Sequence, residues 1–475
     1  MNRLLETRAG RIAAAVAGAA LLYLALGLTP FWAAAWLAPI PLLLAAFHAP
    51  AREASVLVWF AAAVGAASNL TYYVQTTGPV ATGVILILQV LAWGFYVNRT
   101  RSVVRNSRSW TIVFIFPALM AAIDTLISFF SPHGTAASFA YTQMNALPVI
   151  QIASVLGAPA IVFLVGLFGS TVAIALYYES RIDRPRLAYG IPAATILLAL
   201  GFGELRLRQT DNSPLTRVGL VAVDEIIRPE TAPERAEAVW RAYGDGVADL
   251  ARQGARIVVL PEKIAALSPD QAAGRQRELA SLAQRAGVYL VAGVQLNRND
   301  RKDNASWMFT PAGTLVAEYR KQHMVPYLES DLTPGNEAVV RNINGAAYGM
   351  AICRDLLFAG FGRTYGRLDV SALLVPAWDF NRDAWMASVM AELRGVENGY
   401  AVVRAGRESY LNVSDRYGKV TGRRRSMPLP GATLLAEVPL GSATPTIYAR
   451  AGNLFGWLCV AASIGSFFRR PGAKV

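Results

Sequence analysis

Arg256-Ile-Val-Val-Leu-Pro-Glu262 reads as a buried strand that stops on a carboxylate, and the organisation of the C-terminal half follows outward from it. Ile257, Val258, Val259 and Leu260 form an unbroken apolar run suited to a strand covered on both faces, and Pro261 ends its ladder. Short runs of the same kind recur at 217–223, 288–292, 348–352 and 370–375. Helical stretches at 231–253, 270–287 and 382–398 separate them. This alternation predicts an α/β layered domain over 205–450, long enough for one large core.

Upstream the character changes. Apolar runs cover about 12–28, 31–47, 55–73, 79–97, 110–130, 159–178 and 187–203, each near the roughly 20 residues that cross a bilayer core. They predict a membrane domain of seven transmembrane helices over 1–204. A further run at 452–468 makes an eighth helix, and 451–475 is that helix with its tail. The first run lacks a small-residue cleavage site before Pro30 and is followed by further spans, so it reads as a span and not as a signal peptide.

Basic residues set the orientation. Arg3, Arg8, Arg11, Arg52, Arg99, Arg101, Arg105, Arg108, Arg181, Arg184, Arg186, Arg469, Arg470 and Lys474 all fall on one side, while the loops near 29, 74–78 and 131–158 hold no Lys or Arg. The positive-inside rule then places both termini in the cytoplasm and 205–450 outside, which is the periplasm in a Gram-negative cell. The net charge of +13, from 45 Lys+Arg and 32 Asp+Glu, is therefore mostly a topology signal. It gives no reason to expect a nucleic-acid partner. The loop 131–158 is too apolar for a solvated loop and is expected to re-enter the membrane face as a wall of a lipid site. Asp124 inside the fifth run is either functional or held by a buried hydrogen bond.

Two cysteines, Cys353 and Cys459, exclude a disulfide framework, and the scattered His48, His133 and His323 give no metal-ligand spacing. No metal and no cofactor are expected. A lone thiol in a folded domain is instead a candidate nucleophile. Cys353 ends the run Gly349-Met-Ala-Ile352, Glu262 ends its own strand, and Lys321 follows a hairpin-like stretch at 305–319. Carboxylate, ammonium and thiol at strand ends suit acyl transfer through a thioester. The carboxylate takes the thiol proton, the thiolate attacks a carbonyl carbon, and the ammonium with a backbone N–H stabilises the oxyanion. Taken singly, each residue also has a plain structural reading: a salt-bridged Glu or Lys, or an inert core Cys.

Leu260-Pro261-Glu262, Tyr319-Arg-Lys-Gln-His-Met-Val-Pro326 with Glu329, and Ile352-Cys353-Arg354-Asp355 resemble, in order and spacing, the Glu-Lys-Cys triad of the nitrilase (carbon-nitrogen hydrolase) superfamily. Arg394-Gly-Val-Glu-Asn-Gly-Tyr400 and Asp415-Arg-Tyr-Gly-Lys419 resemble later segments of the same domain. Spans before and after that domain, with Pro30-Phe-Trp-Ala-Ala-Ala-Trp-Leu-Ala-Pro39, Phe139-Ala-Tyr-Thr-Gln143 and Thr446-Ile-Tyr-Ala-Arg-Ala-Gly-Asn453, are similar to the apolipoprotein N-acyltransferase branch. The resemblance covers essentially the whole chain.

It implies an αββα nitrilase-like sandwich beside a polytopic α-helical membrane domain, eight transmembrane helices in all, in the inner membrane. It also implies a two-step reaction. Cys353 takes the sn-1 acyl chain from a phospholipid, and the α-amine of a diacylglyceryl-cysteine on an apolipoprotein accepts it. Glu262 is the implied base, Lys321 the oxyanion stabiliser, and Glu329 a second carboxylate that orients the lysine or relays the proton. Arg354, Asp355, Tyr141 and Trp378 are implied to line or support the substrate pocket.

Some positions depart from the family pattern. Arg354 and Asp355 stand where an aromatic residue and Glu are usual, Leu260 replaces a Trp, and Gly406-Arg407-Glu408 replaces an Asn-Thr-Gly run. Arg354 has two readings: it lowers the thiol pKa and meets a lipid phosphate, or it pairs with Asp355 or another carboxylate. The departures leave room for a membrane-tethered amidase or for an enzyme acylating a different amine. A catalytically silent binding protein would not need all three of Glu262, Lys321 and Cys353.

Overall fold

The structure is a computed structural model that describes residues 2–178, 181–209, 211–427, 431–441 and 445–468. Glu179 and the basic tail Arg469, Arg470 and Lys474 lie outside them. The chain forms two compact units. One holds Met1–Ser131, Thr135–Arg208 and Ala451–Val475; the other holds Pro132–Gly134 and Gln209–Arg450.

In the first unit, among the described residues, six helices are long and apolar enough to cross a membrane: Arg8–Leu26, Ala51–Thr77, Pro79–Asn106, Trp110–Phe130, Ala158–Tyr178 and Pro185–Leu207. The runs read as second and eighth spans are shorter apolar helices, Trp32–His48 and Leu454–Ser466. The former divides into Trp32–Leu37 and Pro39–His48, because Pro39 has no N–H to continue a ladder. The stretch 131–158 is a chain of short helical turns, with Phe139 to Gln143 all buried. Asp124 takes the hydrogen-bonding role: its Oδ1 accepts the Phe139 N–H at 3.2 Å. Gln143 Oε1 accepts the Trp36 indole N–H at 2.7 Å.

The second unit contains thirteen strands among its described residues: β1 (Leu215–Ala222), β2 (Ile257–Val259), β3 (Ala266–Leu267), β4 (Tyr289–Asn297), β5 (Lys302–Phe309), β6 (Leu315–Arg320), β7 (Val340–Ile343), β8 (Ala346–Met350), β9 (Ala372–Trp378), β10 (Ala401–Arg407), β11 (Tyr410–Ser414), β12 (Val420–Arg425) and β13 (Ala432–Pro439). One sheet runs β13-β1-β2-β4-β5-β6, with β3 added beside β4, and the other runs β12-β11-β10-β9-β8-β7. The Arg423-Arg424-Arg425 run, which composition alone suggests is a solvated turn, is the edge strand β12 paired with β11.

Between the sheets lies a core that includes Val218, Leu220, Val259 and Met308 from one and Met350, Val375 and Val403 from the other. Helices α1 (Pro233–Arg252) and α2 (Pro269–Ala286) cover the first sheet through Val239, Tyr243, Leu250, Leu279 and Ala283. Helices α3 (Ala359–Arg367) and α4 (Ala384–Asn398) pack against the second. The result is the four-layer α/β arrangement that alternating strand and helix predict, with β1-β2-β4 and β8-β9-β10 parallel at its centre. Parallel strands put their carboxyl ends on one edge, which is where the reactive side chains collect.

Candidate active site

Glu262 follows β2, Lys321 follows β6 and Cys353 follows β8, so three separate strand ends deliver them. The Glu262 N–H reaches across to Ala377 O of the opposite sheet at 3.4 Å, and the Lys321 N–H bonds Asn304 O at 2.9 Å. Both backbones are thus fixed before the side chains meet.

Lys321 Nζ donates to Glu262 Oε1 at 2.8 Å and to Glu329 Oε2 at 2.8 Å. Asn304 Nδ2 donates to the same Glu262 oxygen at 2.6 Å and to Glu329 Oε1 at 2.9 Å. Glu329 also accepts from Lys263 Nζ at 2.7 Å and from the Val325 N–H at 2.9 Å. Every carboxylate oxygen but one therefore has a partner among the described residues; Glu262 Oε2 is buried without one. An ammonium carries three N–H bonds, and the two carboxylates use two of those on Lys321. Among the described residues, the Lys321–Glu262 pair thus offers one open acceptor and one open donor.

The charges follow from this geometry. Burial, the largest influence on Lys321, works against its ammonium, but Glu262, Cys353 and Glu329 outweigh it and hold the group charged above its ordinary range. Burial likewise opposes the Glu329 carboxylate, and Lys321 and Lys263 overturn it to hold the group at about 2.

Cys353 is part-buried, and its thiol faces Trp378 O at 3.3 Å. Burial, then the Glu262 charge, pushes the thiol up, so it rests protonated and needs a base to ionise. The lowering effect expected of Arg354 does not prevail. The Cys353 φ of +44° places a non-glycine residue in the left-handed region, at a cost of about 1–3 kcal/mol that the surroundings must hold.

Asp355 is what holds it. The buried carboxylate accepts Ile352 N–H at 3.0 Å, Tyr319 O–H at 2.6 Å, and the Gln322 and His323 N–H groups at 3.1 and 2.9 Å. His323 Nδ1 lies 3.1 Å from the same carboxylate, and its ring stacks on Phe358 at 3.8 Å. Asp355 therefore ties the lysine segment to the turn that carries the thiol. Substituting Asp355→Ala strands several buried donors at once. It is expected to cost about 3 kcal/mol or more, or about 6–12 °C in Tm by thermal melting.

The other expected residues fall as follows. Among the described residues Arg354 forms no salt bridge with Asp355 or another carboxylate; it donates to Pro132 O and lies 3.3 Å from His133 Nδ1, both in the same unit. Trp378 ends β9, and its ring lies 4.0 Å from the Arg407 guanidinium and 5.2 Å from Lys263 Nζ. Tyr141 belongs to the first unit, buried with its hydroxyl 2.6 Å from Thr135 Oγ1. Tyr400 is fully buried core. Four residues around the site carried no role in the sequence pattern: Asn304, Lys263, and the pair in which Arg404 Nη2 bonds both Asp379 oxygens at 2.6 and 2.9 Å. Asn304 had one visible signal, the polar residues Asp303, Asn304 and Ser306 in a strand whose burial runs unbroken from Asp303 to Phe309.

A four-layer α/β unit with Glu, Lys and Cys at the carboxyl edge of its sheets defines a carbon-nitrogen hydrolase-type enzyme. The Carbon-nitrogen hydrolase family model matches residues 227–408, and the Apolipoprotein N-acyltransferase N-terminal domain model matches residues 18–171. An apolipoprotein N-acyltransferase of Geobacter metallireducens is 26% identical over 92% of this chain and 90% of its own length. These two models and this relative, whose likeness runs through both halves of the chain, support the apolipoprotein N-acyltransferase family in the nitrilase superfamily. A 2-oxoglutaramate amidase of Bacillus subtilis is 27% identical over 30% of this chain and 60% of its own. The solved amidase from Nesterenkonia sp. superposes with a TM-score of 0.42 at 18% identity, over 50% of this chain and 92% of that one.

Proposed function

We propose that this enzyme moves an acyl chain from a membrane phospholipid, through a thioester on Cys353, to the α-amine of the diacylglyceryl-cysteine of an apolipoprotein. The observation that carries the reading is the open acceptor on Glu262 beside an ammonium with one uncommitted N–H, next to a protonated thiol. In the first half-reaction Glu262 Oε2 takes the thiol proton and the thiolate attacks the sn-1 ester carbonyl. The free N–H of Lys321 receives the oxyanion. As the tetrahedral species collapses, the glycerol oxygen leaves with the proton from Glu262, and lysophospholipid departs.

In the second half the acceptor amine attacks the thioester carbonyl and gives its proton to Glu262. Glu262 returns that proton to the Cys353 sulfur as the amide forms. Glu329 serves throughout by holding Lys321 in line, and Asn304 joins the two carboxylates.

The same reading takes 1–204 as a membrane domain, 205–450 as the catalytic domain and 451–475 as a last span with its tail. Eight spans then leave the catalytic domain on the periplasmic face of the inner membrane, beside its lipid donor. The helices of membrane-crossing length and the basic residues confined to alternate loops support it.

The test is transfer itself. Purified enzyme in liposomes, given phospholipid labelled in its sn-1 chain and a diacylglyceryl-cysteine peptide, is expected to yield labelled amide and lysophospholipid in equal amounts. Labelled free fatty acid without labelled peptide would instead mark a hydrolase.

A glycine sets the position of the base. A Cβ on Gly293 of β4 would sit 2.4 Å from Pro261 O and 2.7 Å from Glu262 Cα. Gly293→Ala must therefore push the Glu262 turn out of place, and misplacement on the order of 1 Å costs about 100-fold. The expected result is a loss of that order in kcat in the same assay, with Tm lowered only modestly.

A further inference from the structure

Arg354, the residue directly after Cys353, takes no part in the steps above. It is buried, and its guanidinium is directed at a distant stretch of the chain: Nη2 donates to Pro132 O, and Nη1 lies 3.3 Å from His133 Nδ1. Gly134 completes the contact. At its φ of +53° a Cβ would sit 2.5 Å from Leu357 O and 3.3 Å from the Phe358 ring. Pro132–Gly134, which the second unit takes in from outside 209–450, therefore lies across the turn Cys353–Leu357 from Arg354 to its last residue.

The turn needs such holding. Cys353 is in the left-handed region, and a strained residue persists only where its surroundings over-determine it. Asp355 holds the turn to the lysine segment on one side, and Arg354 holds it to Pro132–Gly134 by a separate set of contacts. The aromatic residue usual at this position in the family has no guanidinium fork with which to make them.

The contact with His133 carries a condition. A guanidinium only donates, so Nδ1 must accept, which it does only when the imidazole is neutral with its proton on Nε2. Protonation would set a donor and a second positive charge against Arg354. Partial burial and then the Arg354 charge hold His133 below its ordinary 6.5. The contact is thus complete above 6.5 and is lost as pH falls through the lowered value. Arg354 is the charged group that acts on His133, and Cys353, Glu329 and Asp355 act on Arg354 in turn.

We infer that Arg354 is a positioning residue for the nucleophile, strapping Pro132–Gly134 across the Cys353–Leu357 turn by a contact that lasts only while His133 is neutral. Mild acid then loosens the turn and slows acylation of Cys353. This rests on the reading of Cys353 as the nucleophile.

The test follows formation of the acyl adduct on Cys353 by intact mass, with phospholipid liposomes and no acceptor, across pH for wild type, R354Q, G134A and H133N. R354Q removes the fork, and G134A lifts the strap from its other end with every charge in place. Each is expected to slow acylation about tenfold at neutral pH, less than the ~100-fold of a misplacement on the order of 1 Å, because Asp355 still holds the turn. H133N offers an amide oxygen that accepts from Arg354 at every pH. It is expected to stay within about threefold of wild type at neutral pH and to exceed it about threefold or more at about pH 5. An H133N profile that overlays wild type, or an R354Q or G134A variant as fast as wild type, would overturn the role given to Arg354. A thermal melt at each pH separates these outcomes from unfolding, and His133 is exposed, so H133N carries the test should R354Q unfold. Wild type that forms no adduct on Cys353 would overturn the reading of Cys353 itself, and the inference with it.

Discussion

Cys353→Ser is expected to abolish acyl transfer, by about 10⁴-fold or more in kcat, while the protein folds and inserts as wild type does. The hydroxyl is too weakly acidic for Glu262 to ionise it in a site where even the thiol is pushed up by burial and by the Glu262 charge. Serine fills nearly the same volume and keeps the hydrogen bond to Trp378 O, so stability has little reason to change. The strained backbone at this position is held by Asp355 and not by the sulfur, which is a second reason the variant keeps its shape. Cys459, buried within the helix Leu454–Phe468 of the first unit, supplies the control: Cys459→Ser is expected to leave transfer unchanged. Steady-state transfer and a thermal melt on both variants check the pair of statements.

Lys321→Met is expected to lose both activity and stability, and the two losses have different causes. The activity loss follows from removing the open donor that Lys321 offers, a contribution of about 100- to 1000-fold in kcat for one oxyanion contact. The stability loss follows from burial. Without the ammonium, Glu262 and Glu329 keep only Asn304, Lys263 and one backbone N–H, and a buried ion cluster stripped of a member costs about 3–5 kcal/mol.

The loss is also readable in pH. In the wild type Glu329 is held below its ordinary 4.5, at about 2, so the stability it contributes is complete above 4.5 and disappears as pH falls toward 2. In the variant, Glu329 keeps Lys263 as its one salt-bridge partner among the described residues, so that loss is complete at a higher pH. Acid unfolding of Lys321→Met is therefore expected at a higher pH midpoint than in wild type, which circular dichroism along an acid titration measures.

How much of this was legible beforehand follows from where each residue sits along the chain. Glu262 and Cys353 each close an apolar run and Lys321 follows a hairpin-like stretch, so their positions at strand ends of a layered α/β unit could be read from pattern. Asp355 could be seen beside Cys353, but not what it binds. Its partners Tyr319, Gln322 and His323 lie 32 to 36 residues away and meet it only through tertiary structure.

Asn304 lies mid-strand, where periodicity says only that a side chain faces one way or the other, and Lys263 looked like any residue after a motif. Helix α3, Ala359–Arg367, was invisible because Gly360, Gly362 and Gly366 give it poor intrinsic propensity; packing against the second sheet makes it. In the first unit hydropathy located the six helices of membrane-crossing length, but length could not be read through Pro39, which divides the second run into two short helices.

The central claim is that Cys353 itself carries the acyl chain between donor and acceptor. Its most direct measurement is the intact mass of the enzyme after incubation with phospholipid of defined sn-1 chain and no acceptor. The account predicts a single adduct of one acyl chain, mapped to Cys353, released by neutral hydroxylamine, discharged on adding a diacylglyceryl-cysteine peptide, and absent from Cys353→Ser. An enzyme that labels the peptide while never carrying an adduct on Cys353, or that carries it on another residue, would contradict it.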